Sequence, residues 1–204
     1  MECARLEEKM GIHANATWPA FKNASLGPWE AGGTLYVVTI GCPSSAATSN
    51  VTVWTSTDAG LTWAAQDDAN RITTAAGLVT TAFDGTTIHV AYCTSAFVLA
   101  IRQFSTATNT WGTTTSGTGP TVEAGLASNP FFFVRRSDGT YFVFHQTVAE
   151  SVMGTGYRRM GYSIYSGGLW SNNISIIVGG VQVHHDVRGI VLGASNRTHL
   201  LYTV

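Results

Sequence analysis

The sequence predicts an all-β chain made of repeated four-stranded antiparallel units, and three observations carry that prediction. Short runs rich in Val, Ile, Thr and aromatics alternate with clusters of Gly, Asp, Ser and Thr along the whole length. Asp-Gly and Gly-Gly pairs sit between consecutive runs, where a strand must reverse. Trp18, Trp63, Trp111 and Trp170 fall 45, 48 and 59 residues apart, a period that suits one four-stranded unit each.

The units follow in order. In the first, Gly32-Gly33 precedes an alternating run over 34–40, and 51–55 is a second run. The next unit has a run over 78–83, the turn Asp84-Gly85, then 86–92 and 98–104. After it come 131–135, the turn Asp138-Gly139, 141–147 and 157–163. Runs over 187–192 and 198–204 read as the first two strands of a fourth unit. Helical periodicity is confined to residues 3–10, which predict one short helix. The expected divisions are an N-terminal segment, 1–22, that completes the last unit, followed by units at about 23–66, 77–114 and 125–173 and a half unit at 186–204. Ring closure within the chain and completion by a neighbouring subunit or a wider ring both remain open.

Residues 56–63 read Ser-Thr-Asp-Ala-Gly-Leu-Thr-Trp, matching S-x-D-x-G-x-T-W at Ser56, Asp58, Gly60, Thr62 and Trp63. This octapeptide resembles the Asp box, or BNR repeat, of sialidase-superfamily β-propellers. The resemblance implies a β-propeller of four-stranded antiparallel blades, about four of them or an incomplete propeller. It also implies a structural role for the box, as the turn between the third and fourth strands of a blade. Residues 163–170 keep Ser163, Gly167 and Trp170 in the same frame, a degraded second box, and 105–111 retain the Thr-Trp ending. In such a blade the box lies opposite the face expected to hold ligand. Asp58 is accordingly expected to cap turn N–H groups rather than to act on a substrate.

Composition excludes several classes of function. Only 11% of residues are charged and the net charge is -1, without a Lys/Arg block, so the footprint of a nucleic-acid binder is missing. No apolar run approaches the roughly 18 residues of a membrane span. The first nine residues are charged and lack the apolar centre of a secretory signal. Cys3, Cys42 and Cys93 are an odd set, expected as free thiols. Five sequons, at Asn15, Asn23, Asn50, Asn173 and Asn196, matter only in a secretory pathway.

The face opposite the box should display 42–50, 66–77, 94–97, 113–129, 148–156 and 171–186. Its ionisable residues supply the ligand candidates Arg71, Glu150, His184 and Asp186, and Arg158, near the end of the run over 157–163, joins them. In an extended segment His184 and Asp186 share a side while His185 faces away. No third ligand follows by spacing, so neither a metal nor another cofactor is expected. Arg135-Arg136 and Arg158-Arg159 could meet an anionic sugar, one of each pair facing solvent. Trp63, Trp111 and Trp170 are expected to fill gaps between blades; Trp29 and Trp54 are sugar-stacking candidates. The sialidase mechanism needs an arginine triad clamping a carboxylate, and the Arg-Ile-Pro motif that carries its first arginine has no match here. The expected function is therefore a non-catalytic recognition or assembly module, a glycan being the ligand class considered. It would belong to a homo-oligomer or a larger extracellular or virion structure such as a phage appendage. The alternative is a sialidase-like glycoside hydrolase or a fragment of one.

Overall fold

The computed structural model describes residues 27–41, 49–115, 119–121, 131–147, 159–172, 174–175, 187–192 and 197–202. The N-terminal segment with Trp18, the helix expected over 3–10, Cys3 and Cys42 lie outside the described residues.

The described residues are all-β apart from one 3-10 turn at Asp68–Asn70. The first blade holds β1 (Trp29–Ala31), β2 (Thr34–Gly41), β3 (Ser49–Ser56) and β4 (Ala64–Gln66), each antiparallel to the next. The second holds β5 (Ile72–Phe83), β6 (Thr87–Thr94), β7 (Leu99–Ser105) and β8 (Thr110–Thr114). In the third, β9 (Phe132–Arg135), β10 (Tyr141–Thr147) and β11 (Arg159–Ser166) are edged by two short pieces, β12 (Leu169–Trp170) and β13 (Ile174–Ser175). β14 (Val187–Leu192) and β15 (Arg197–Tyr202) form a further antiparallel pair. β5 lies beside β9, and β9 beside β14, so the first strands of successive blades are neighbours. Radial succession of this kind is β-propeller architecture.

Turn chemistry sets the hairpins. Gly32-Gly33 and Gly167-Gly168 are two-residue connections with positive φ throughout (58° and 78°, then 58° and 84°), which only glycine adopts without strain. The second of these corrects the degraded box over 163–170. β11 runs on to Ser166 and turns on two glycines, so no box turn forms. Ser163 is buried inside β11 with its Oγ 3.0 Å from His145 Nε2, and Trp170 is half-buried against Tyr165.

The core consists of two slabs selected by residue parity. Tyr36, Val38 and Ile40 of β2 meet Ile88, Val90 and Tyr92 of β6, with Phe104 and Trp111, between the first and second blades. Ala91 and Cys93 of β6 turn the other way, with Leu99 and Ile101, onto Phe133, Tyr141 and Val143 of the third blade. β6 is thus apolar at both parities because a blade lies against each of its faces. Full burial of each such aliphatic contributes roughly 1.5–3 kcal/mol.

Of the three cysteines, Cys93 is described; its thiol is free and buried, and burial pushes its pKa up.

Candidate functional site

The blades have two unlike ends. At one end the first and second strands join through Gly32-Gly33, Asp84-Gly85 and Asp138-Gly139, and the third and fourth through 57–63, 106–109 and Gly167-Gly168. At the other end lie the last residues of β2, β6 and β10 and the first of β3, β7 and β11, with residues 95–98 joining β6 to β7.

The turn after β3 shows what the octapeptide does. Asp58 lies outside any regular element, and its Oδ1 accepts from the Ser56 hydroxyl at 2.7 Å and the Thr62 N–H at 2.8 Å, its Oδ2 from the Thr62 hydroxyl at 2.5 Å. Ser56 Oγ in turn accepts from the Gly60 N–H at 2.8 Å. Hydrogen bonds from the Thr62 hydroxyl, then the Thr62 N–H and Ser56, lower the Asp58 pKa to about 2. With three accepted hydrogen bonds inside its own turn and a lowered pKa, this carboxylate is committed to holding the turn. Trp63 departs from the expectation that it packs between blades: its Nε1–H donates to Gly60 O at 3.1 Å, and its ring covers its own turn. Trp111 does fill a joint, edge-on to Phe104 with centroids 5.3 Å apart.

Arg71 is not placed for a central ligand, which corrects its assignment to the binding face. Residues 72–75 pair with β3 on the edge that also takes β4, so 67–71 interrupt the outer border of the first blade rather than crossing to the axis. Arg71 is ion-paired with Asp68 there. Asp67 accepts from the Trp111 N–H at 2.8 Å and from Asn70, contacts that lower its pKa, while Arg102 donates to the Asn70 carbonyl at 2.6 Å. This cluster fastens the outer edges of the first two blades. The other ligand candidates, Glu150, Arg158, His184 and Asp186, lie outside the described residues. Trp29 packs on Phe83 and the first core slab, and Trp54 donates to Thr39 Oγ1 at 2.8 Å.

Arg135 and Arg136 sit at the tight-turn end, facing Asp84 and Asp138, each at 3.5 Å. Arg159 pairs with Thr147, six residues along β10 from Tyr141, the partner of Arg135. At about 3.3 Å per residue those two backbone positions are roughly 20 Å apart.

Sequence reasoning passed over a polar chain between the second and third blades, buried at His89 and Tyr141 and exposed at its ends, Gln103 and Asp84. Gln103 Nε2 donates to Tyr141 Oη at 2.8 Å, Tyr141 Oη lies 3.0 Å from His89 Nδ1, and His89 Nε2 lies 2.9 Å from Asp84 Oδ2. Burial opposes ionisation of Asp84, but donation from His89, Thr86 and Thr87 outweighs it and holds the carboxyl below its usual range. Burial also pushes the His89 pKa down, against the pull of Asp84. The signal available was an Asp-Gly turn five residues before a histidine inside an apolar strand. Among the described residues no group of three His, Cys, Asp or Glu side chains is arranged for a metal, and no helix is long and apolar enough to cross a membrane.

No protein-family profile matches the sequence, and no curated protein resembles it in sequence. Solved structures do resemble it in fold. An α-L-arabinofuranosidase from Fusarium graminearum, bound to an iminosugar inhibitor, aligns over 88% of this chain and 55% of its own, with a TM-score of 0.50 and 12% identity. The α-L-arabinanase of Penicillium chrysogenum, complexed with arabinobiose, covers 88% and 56%, with a TM-score of 0.52 and 12% identity. An endo-arabinanase from Bacillus licheniformis aligns at a TM-score of 0.46 and 11% identity, covering 86% of this chain and 70% of its own. The chain spans little more than half the length of the first two. What they share with it is the fold.

Proposed function

We propose that the chain is a carbohydrate-handling propeller that hydrolyses glycosidic bonds, its ligand meeting the blade ends opposite the Asp58 turn. Hydrolysis of a glycoside ordinarily takes two carboxyl groups, one proton donor and one base or nucleophile. The observation that carries the reading is where the acidic residues are already spent. Asp58, Asp67, Asp68, Asp84 and Asp138 each hold a turn or an ion pair at a blade edge or at the tight-turn end. Glu150 and Asp186 stand in the sequence between β10 and β11 and just before β14, outside the described residues, and are the pair we assign to acid and base. Arg158 and His184 are proposed as ligand-positioning neighbours. The fold shared with an arabinofuranosidase and an arabinanase supports the substrate class, while a sialidase-type affiliation rests on residues 56–63 alone.

A second reading is a non-catalytic glycan-recognition module within a homo-oligomer or larger extracellular or virion assembly, favoured by the missing Arg-Ile-Pro motif. A panel of chromogenic arabinofuranosides, linear arabinan and a fluorogenic sialoside tests both. Under the hydrolytic reading, one substrate turns over and Glu150→Gln or Asp186→Asn lowers kcat by about 10²–10⁴-fold. Glycan retention without turnover supports recognition, and neither turnover nor retention refutes both.

A further inference from the structure

We propose that the joint between the second and third blades is an acid-released latch, in which His89 closes the joint only while it is neutral. The donors and acceptors fix every proton. Gln103 gives an N–H to Tyr141 Oη, which leaves the tyrosine O–H to donate to His89 Nδ1. Nδ1 must then be bare, and the ring carries its proton on Nε2, donating to Asp84 Oδ2. Three strands and one turn of two blades are tied by this sequence of contacts: β7, β10, β6 and the β5–β6 turn. His89 is 2% exposed and Tyr141 5%, so the contact between these two rings is shut off from bulk water, while Gln103 and Asp84 at the ends reach solvent.

A second proton on the ring goes to Nδ1. Tyr141 Oη would then receive two N–H donors, from Gln103 and His89, and its own proton would lose the acceptor it has. The charged groups facing the ring are Asp84, on the turn before β6, and Arg135, at the end of β9, whose guanidinium lies 3.5 Å from the same carboxylate. Asp84 welcomes the imidazolium, whereas Arg135 and burial oppose it, and β7 and β10 contribute only the neutral Gln103 and Tyr141. The balance falls on the neutral ring. Protons taken up on opening therefore pull the joint apart as pH drops below the ordinary histidine value of 6.5.

Amide hydrogen exchange on the intact chain, read from about pH 8 to about pH 5, tests the latch together with the NMR titration of the His89 ring. The expected result is an opening constant for β6 and β10 amides at the second joint that rises toward tenfold per pH unit below 6.5, while amides paired between β2 and β3 are unmoved. His89→Gln should flatten that rise; if this variant fails to fold, Tyr141→Phe, which keeps the ring and removes the hydroxyl, should raise the His89 pKa in the folded chain. Since His145 is buried in the same joint near Ser163, the ring titration must be assigned to His89 itself. Titration of His89 at or above 6.5, or opening that rises equally at both joints, overturns the proposal.

Discussion

The parity argument for the second blade can be broken or upheld with two substitutions in one strand. Phe104 and Ile101 both belong to β7 and are both fully buried, yet they point into different slabs, toward the first and third blades respectively. Phe104→Ala removes a ring that also meets Trp111 edge-on. Such truncations cost about 3–5 kcal/mol, of which the aromatic pair supplies roughly 0.5–1.5. Ile101→Ala should cost about 2–5 kcal/mol. In urea, with a slope of about 2 kcal/mol per molar, either change moves the unfolding midpoint down by roughly 1–2.5 M. Thr113→Ala, on the exposed outer strand, serves as the control and should stay within about 0.5 kcal/mol. Because the two residues share no slab, the double substitution should be additive to within about 0.5 kcal/mol. The reasoning fails if either core substitution costs less than about 1 kcal/mol, since that is how a residue on a solvent-facing sheet behaves.

Two further substitutions probe single positions. A Cβ on Gly119 would stand 2.1 Å from the Leu99 carbonyl oxygen, in a segment whose Pro120 carbonyl accepts from the Leu99 N–H; Gly119→Ala should lower the thermal midpoint by several degrees, and an unchanged midpoint would show that 119–121 need not pack there. Asp58 has its folded pKa depressed from 3.8 to about 2, so its stabilising effect is whole above 3.8 and fades as pH falls toward 2. Asp58→Asn should therefore lower the urea midpoint near neutral pH and show a shallower acid-induced decline than the parent; equal declines would mean that the turn does not sense its charge.

The strand grammar was legible because both of its signals are local. Alternation needs only neighbouring side chains, and Gly32-Gly33 or Asp84-Gly85 declares a reversal within a few residues. Where a long-range partner decided the outcome, local reading went astray. Residues 66–77 look like one polar connection, yet β5 begins inside them because Ile72 and Ala75 find partners on β3. That pairing carried Arg71 to a blade edge. The echo at 163–170 shows the reverse error: the frame of a motif was preserved while the turn beneath it shortened to two glycines, so Ser163 fell inside a strand and found His145 instead of a turn N–H.

The polar chain through His89 is the harder case, since Tyr141 lies 52 residues away and belongs to another blade. Half of it, however, was within reach of sequence logic. A histidine in the middle of an apolar strand needs partners for both nitrogens. Asp84, at the turn that begins the same hairpin, is the nearest carboxylate able to supply one, and the acceptor it takes fixes the tautomer. The other nitrogen must then look across the joint for a donor. In a blade apolar at both parities, that donor has to come from the neighbouring blade's inward row, and Tyr141, with Val143, occupies that row in β10.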